Sequence, residues 1–202
     1  MSDHVRVART EGRVTITLDR PGKANALTEE MLDAVARAAG TADAPVLVIT
    51  GAGGVFSAGA DLEAARAGLA TSAAWERASG AIAGFPGLSI AALNGPCAGG
   101  AMGMMLACDL RVAVPGARLF YPVMKLGFLP QPSDPGRLRA LVGPARAKLI
   151  LMGGARVTAD EALAMGLVDR VTEDLGAEVD ALSADAMAAH EGHAAAIKAM
   201  LG

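Results

Sequence analysis

Two segments near the start of the chain, residues 5–8 and 14–18, alternate apolar and polar side chains. Alternation with a period of two is typical of half-buried β-strands, and the link between them contains Gly12, so the pattern predicts a β-hairpin. Residues 46–50 and 89–93 are instead almost continuously apolar. Such runs indicate strands that are covered on both faces, as in a parallel sheet.

Helical patterns separate these strands. Thr28 is placed to cap a helix whose first turn carries Glu29 and Glu30. Residues 100–108 are nearly without charge, and a helix without a polar face must lie at the centre of a domain. Further helices are predicted for residues 62–69, 72–82 and 175–201, a capping box for residues 158–161, and short strands for residues 110–114, 118–121 and 168–171. Alternation of strands and helices predicts a single α/β domain with a mostly parallel sheet.

Composition narrows the function classes. The 202 residues are 52% hydrophobic, enough for one well-buried domain. The net charge of −3, the scattered Lys and Arg residues and the 3% aromatic content argue against a nucleic-acid partner. The chain begins with polar residues and has no membrane-length apolar run, so we expect a cytoplasmic protein without a membrane partner. Cys97 and Cys108 lie in apolar segments and are expected to be reduced core residues.

Two segments rich in small residues carry the candidate chemistry: residues 56–62 (FSAGADL) and 94–103 (NGPCAGGAMG). Each lies where an apolar strand gives way to a predicted helix, a place at which backbone N–H groups lack helical acceptors. Two such N–H groups directed at one oxygen form an oxyanion hole, which stabilises a carbonyl oxygen as it gains negative charge. The pattern therefore predicts carbonyl chemistry.

These segments, together with residues 20–27 and 154–171, resemble the crotonase superfamily, also called the enoyl-CoA hydratase/isomerase family. The resemblance covers roughly residues 14–171. It implies an α/β fold, a crotonase-like spiral of β-β-α units, with a core domain at residues 1–172 and a shortened C-terminal helical region at residues 173–202. By the same resemblance, the oxyanion donors are expected to be the backbone N–H groups of Ala58 and Gly100.

The resemblance also implies the ligand and the assembly. Members of the family bind acyl-CoA thioesters and usually form homotrimers or dimers of trimers, with no cofactor beyond the CoA of the substrate and no metal. The CoA is expected to lie against the segments that contain Lys23, Ala24, Leu27, Ala58, Gly59, Ala60 and Asp61.

The chain departs from the family where proton transfer is performed. Hydratases of the family use two glutamates, and the corresponding positions here are Gly103 and Val123, which cannot transfer a proton. Since hydration needs a carboxylate pair to hold and deprotonate water, their absence argues against the ordinary hydratase mechanism. A Gly-rich loop of the family is also replaced, by residues 131–135 (QPSDP).

Several polar residues have two interpretations. Tyr121 and Asp134 are the candidate replacement acid/base groups, although Tyr121 could simply pack and Asp134 could be an exposed turn residue. Asp61 could be catalytic or could cap the helix that follows it. His190 and His193, three apart on a predicted helix, could share a metal ion or form an exposed helix face.

Two functions follow. The first is an acyl-CoA enzyme that stabilises a thioester enolate and catalyses isomerisation, decarboxylation or thioester cleavage without the usual glutamates. The second is a catalytically silent acyl-CoA-binding protein that keeps the oxyanion hole but has lost the groups that transfer protons.

Overall fold

The structure is a computed structural model that describes residues 2–201. Its strands are β1 (Val5–Thr10), β2 (Arg13–Leu18), β3 (Val46–Gly51), β4 (Leu88–Leu93), β5 (Cys97–Ala98), β6 (Leu110–Ala113), β7 (Arg118–Phe120), β8 (Val157–Thr158) and β9 (Arg170–Val171). Its helices are α1 (Glu29–Gly40), α2 (Leu62–Arg66), α3 (Ala74–Ala83), α4 (Ala101–Ala107), α5 (Val123–Leu126), α6 (Asp134–Leu151), α7 (Ala159–Ala164), α8 (Leu175–Ala188) and α9 (His193–Leu201).

Six strands form the main sheet in the order β1-β2-β3-β4-β6-β9. The predicted hairpin is present: β1 pairs antiparallel with β2, and Gly12 in the turn has a φ of +77°. All other neighbours in this sheet are parallel, as the continuously apolar runs predict. A second sheet of three short strands has the order β5-β7-β8. It carries one of the two small-residue segments.

The main sheet is covered on both faces, which explains its uniformly apolar strands. On one face α1 packs against α3, and α3 packs against the central helix α4. All seven residues of α4 are buried, so the prediction of a central helix is confirmed. On the other face, side chains that include Val48, Ile90 and Val112 form a separate apolar cluster with Val179 of α8. The central helix thus begins inside the protein rather than at its surface.

The helix starts follow the sequence signals. The Thr28 side chain accepts a hydrogen bond from the N–H of Met31 at 3.3 Å, and Thr158 with Glu161 forms the predicted capping box. Strand β9 has only two residues, because pairing with β6 is limited to Arg170 and Val171.

The C-terminal region differs from its prediction. The chain leaves helical geometry after Ala188 and re-enters it at His193, so His190 lies in the connection and the two histidines do not share a helix. Between residues 2 and 201 no cluster of three His, Cys, Asp or Glu side chains is arranged to hold a metal ion. No helix in that range is long and apolar enough to cross a bilayer.

Candidate functional site

The two small-residue segments meet at a cavity of about 230 Å³. Ala58 and Ala60 line it from one segment, and residues 98–100 line it from the other. The remaining wall comes from Trp75 and from the residues that follow β7. A larger cavity of about 620 Å³ lies beneath α8 and α9 and contains neither segment. The smaller cavity is therefore the candidate site.

Close backbone contact holds the two segments side by side. The N–H of Ala98 donates to the carbonyl of Ser57 at 2.9 Å. A Cβ atom on Gly59 would lie 2.8 Å from the carbonyl oxygen of Ala98, so only glycine permits this approach. Gly59 also has a φ of +89°, a conformation that side chains disfavour. Gly59 thus allows Ala60 to lie beside the start of α4.

The hydrogen bonds of the first segment correct one sequence prediction. The N–H of Ala58 donates to the carbonyl of Ala24 at 2.9 Å, so it is not available as an oxyanion donor. Leu27 pairs with the segment in parallel, donating to the carbonyl of Gly59 and accepting from the N–H of Asp61. Ala60 lies between these two contacts, and its N–H has no acceptor among residues 2–201. Ala60 therefore has a free donor beside the cavity, whereas Ala58 does not.

In the second segment the predicted donor, the N–H of Gly100, is available. The N–H of Gly99 donates to the carbonyl of Phe120 at 3.0 Å, whereas the N–H of Gly100 has no acceptor in the described part of the chain. Gly100 directly precedes α4 and lines the cavity. A Cβ atom at this position would lie 2.9 Å from the Trp75 ring, so the indole covers the glycine.

Asp61 has a structural role. Its carboxylate caps α2 by accepting from the N–H groups of Glu63 and Ala64, and it pairs with Arg20 at 2.7 Å. The hydrogen bond from Arg20 is the main reason why the pKa of Asp61 is lowered. Arg20 also donates to the carbonyl of Ala26, so it links residues 20–27 to the FSAGADL segment. This role of Arg20 was not predicted from the sequence, because its partner Asp61 is 41 residues away.

The other predicted CoA contacts are divided between surface and core. Lys23 is exposed and Ala24 is half-buried, in a turn where Ala24 has a φ of +49°. The side chain of Leu27 is fully buried, so Leu27 contributes to the site only through its backbone pairing with residues 59–61.

Asp134 is not an exposed turn residue. It is the first residue of α6 and only 1% exposed. The Tyr121 hydroxyl donates to its Oδ2 at 2.8 Å, and this bond is buried. Tyr121 follows β7 and lines the cavity, as does Val123 at the start of α5.

The carboxylate of Asp134 occupies the space next to Gly103. A Cβ atom on Gly103 would lie 2.6 Å from Oδ1 and 3.0 Å from Oδ2 of Asp134. The space beside position 103 of α4 is therefore occupied by an acidic side chain from α6. Burial raises the pKa of Asp134 to about 6, although the Tyr121 hydroxyl acts in the opposite direction.

The replaced loop holds this carboxylate in place. Glu76 of α3 accepts a hydrogen bond from the N–H of Ser133 at 3.0 Å and a second one from its hydroxyl. The Gln131 side chain donates to the carbonyl of Ala70 at 3.1 Å. Glu76 was not predicted from the sequence, where it is one charge on an amphipathic helix.

Comparison with known proteins agrees with this architecture. The sequence model of the enoyl-CoA hydratase/isomerase family matches residues 8–201. The probable enoyl-CoA hydratase echA6 of Mycobacterium leprae is 35% identical over 181 residues, covering 83% of this chain and 70% of that protein. The 4-chlorobenzoyl coenzyme A dehalogenase-1 of Arthrobacter sp is also 35% identical over 181 residues, covering 83% of this chain and 66% of that protein.

A solved structure also matches nearly the whole chain. A proposed enoyl-CoA hydratase of Thermobifida fusca YX, in complex with CoA, superposes with a TM-score of 0.89 and 30% identity, covering 98% of this chain and 84% of that one. The chain therefore belongs to the enoyl-CoA hydratase/isomerase family. The predicted crotonase-like α/β fold is confirmed.

Proposed function

We propose that this protein binds an acyl-CoA thioester with its carbonyl oxygen between the N–H groups of Ala60 and Gly100. The observation that carries the proposal is the hydrogen-bond pattern at Ala60 and Gly100: the N–H of each has no acceptor among residues 2–201, and both residues line one cavity. Removal of one oxyanion donor typically costs roughly 3–4 kcal/mol of transition-state stabilisation. Two donors would thus stabilise the developing enolate more strongly than the neutral thioester.

The lining of the cavity favours an apolar acyl group. No charged side chain of the described residues lines it, and Trp75, Phe120 and Val123 contribute apolar surface. Leu126 and Leu129 at its edge are 59% and 88% exposed. An acyl chain with a second carboxylate would lose hydration there without gaining a cationic partner. The CoA itself would pass over the turn that contains Lys23 and Ala24.

The proposed reaction is one that needs an enolate but no paired glutamates, such as isomerisation, decarboxylation or thioester cleavage. Gly103 and Val123 favour the second candidate, a silent acyl-CoA-binding protein, because both positions lack an ionisable group. The two candidates share the oxyanion hole and differ in proton transfer.

Ligand binding tests the shared part. Trp75 is the only tryptophan and its ring lies against Gly100, so its fluorescence is expected to report occupation of the cavity. We expect butyryl-CoA to bind about 30-fold more tightly than butyl-CoA, a thioether without the carbonyl oxygen, since two net hydrogen bonds contribute about 1 kcal/mol each. Equal affinities for the thioester and the thioether would refute the oxyanion hole, and absence of binding would refute both candidates.

A further inference from the structure

The position of Asp134 indicates a role beyond occupying the space next to Gly103. Gly103 stands in the middle of α4, whose seven residues carry no titratable side chain. The Asp134 carboxylate reaches this helix from α6 and fills the space that a side chain at position 103 would need. An acid is therefore present beside the oxyanion helix, although the sequence position next to it is a glycine.

Tyr121 connects this carboxylate to the cavity. Its hydroxyl donates to Asp134 at 2.8 Å, and the residue lines the same cavity as Ala60 and Gly100. The backbone N–H of Gln131 faces the phenol oxygen at 3.4 Å. The phenol thus stands between the acyl cavity and a buried carboxylate.

The surroundings of Asp134 leave the carboxylate able to accept a proton. Its Oδ1 is buried and has no hydrogen-bond partner among residues 2–201. The titratable groups that face it are Glu76 from α3, Cys97 from β5, Tyr121 after β7 and Arg137 from its own helix. Arg137 is the only cation of this set, and the negative charge of Glu76 opposes its effect.

We propose that Tyr121 and Asp134 form the proton relay of this site, with Tyr121 as the catalytic acid/base and Asp134 as the residue that positions it and holds its proton. This proposal rests on the proposed function, because it places the acyl α-carbon in the cavity that Tyr121 lines.

The relay is balanced without another reactant. The C–H bond at the α-carbon breaks, and its electron pair forms the enolate, whose oxygen lies between the two N–H groups. The phenol oxygen of Tyr121 takes this proton while its own proton moves to Oδ2 of Asp134. The reverse step delivers a proton to the α-carbon or, in an isomerisation, to the γ-carbon. In deuterium oxide the α-carbon gains deuterium when the Tyr121 hydroxyl exchanges its proton with the solvent before this step.

Deuterium exchange separates this proposal from the proposed function. Butyryl-CoA and the more acidic phenylacetyl-CoA are incubated with the protein in deuterium oxide, and deuterium at the α-carbon is followed by mass spectrometry. We expect exchange by the native protein, and a loss of at least roughly 100-fold in Tyr121→Phe and Asp134→Asn. Affinity measured by Trp75 fluorescence is expected to stay within about threefold.

Asp109→Asn is the matched control. Asp109 is another partly buried carboxylate, but it accepts hydrogen bonds from Ser89 and does not line this cavity. Exchange by this variant is expected to equal that of the native protein. Exchange by the native protein is also expected to fall as the pH drops below about 6, where the carboxylate becomes protonated.

The outcomes are distinct. A native protein that binds acyl-CoA but shows no exchange, or a Tyr121→Phe variant that exchanges at the native rate, overturns the relay. Variants that lose binding together with exchange show a structural role for the pair and also overturn it. Tyr121→Phe removes a single oxygen atom, so it carries the test if Asp134→Asn does not fold. A native protein that does not bind acyl-CoA contradicts the proposed function instead.

Discussion

Adding one methyl group at Gly103 tests whether the Asp134 carboxylate lies where the structure places it. The new Cβ would lie 2.6 Å from Oδ1 and 3.1 Å from Cγ of Asp134, well inside normal contact. The carboxylate would have to shift away from α4, and it is buried and bonded to Tyr121. Overpacking of this kind costs about 1–3 kcal/mol.

Helix propensity acts in the opposite direction. Replacement of an interior helical glycine by alanine stabilises by about 1 kcal/mol where nothing is in contact. In Asp134→Ala the acid is absent, so we expect Gly103→Ala to be neutral or stabilising there. In the native background we expect a net destabilisation of up to about 2 kcal/mol, because helix propensity offsets about 1 kcal/mol of the overpacking cost. The coupling between the two substitutions would then be about 1–3 kcal/mol.

Equilibrium unfolding in urea of the four proteins in this double-mutant cycle measures the coupling. Gly136→Ala is the matched control, since Gly136 lies exposed in α6 and a Cβ there would have no neighbour within 4 Å. It is expected to stabilise the protein. If Gly103→Ala matches this control in both backgrounds, the carboxylate does not occupy the space beside α4, and the relay loses its basis.

Three further results are expected. Because burial raises the pKa of Asp134 from 3.8 to about 6, its contribution to stability is present below pH 3.8 and is lost as the pH rises through 6. The free energy of unfolding of the native protein should therefore fall by roughly 3 kcal/mol, relative to that of Asp134→Asn, as the pH rises from below 4 to 7, from 2.2 pKa units at 1.36 kcal/mol each. A pH-independent difference between the two proteins in urea unfolding would contradict this. Gly100→Ala places a Cβ 2.9 Å from the Trp75 ring, so the fluorescence spectrum of the folded protein should change, whereas an unchanged spectrum would place the indole elsewhere. Cys97 and Cys108 are buried and burial raises the pKa of both thiols, to about 12 for Cys108, so Ellman's reagent should react with them only after unfolding, and rapid reaction of the native protein would contradict their burial.

The sequence predicts the fold well because local patterns determine most of it. The apolar runs of β3 and β4, the charge-free α4 and the cap at Thr28 are each visible within a few residues. Element ends are less predictable. The interruption between α8 and α9 carries no Pro, and its sequence signal is Gly192, which has a φ of +76° in an otherwise alanine-rich stretch.

The candidate site shows more clearly what could not be predicted from the sequence. Whether the N–H of Ala58 or that of Ala60 is free depends on the parallel pairing with Leu27, and that pairing is a long-range contact. Without it Ala58 and Ala60 are equivalent small residues, and the prediction of Ala58 was wrong because Ala24 accepts its N–H. The burial of Asp134 depends in the same way on the missing side chain at Gly103, 31 positions earlier in the chain (134 minus 103).

The absence of a side chain at position 103 has a wider consequence. In this protein the donor at the start of α4 and the nearest acid belong to separate segments of the chain. Substitutions in the loop before α6 can then replace, move or remove the acid while Gly100 keeps its place. The proposed carbonyl-binding element would in this way serve different reactions, according to the side chains of the loop before α6.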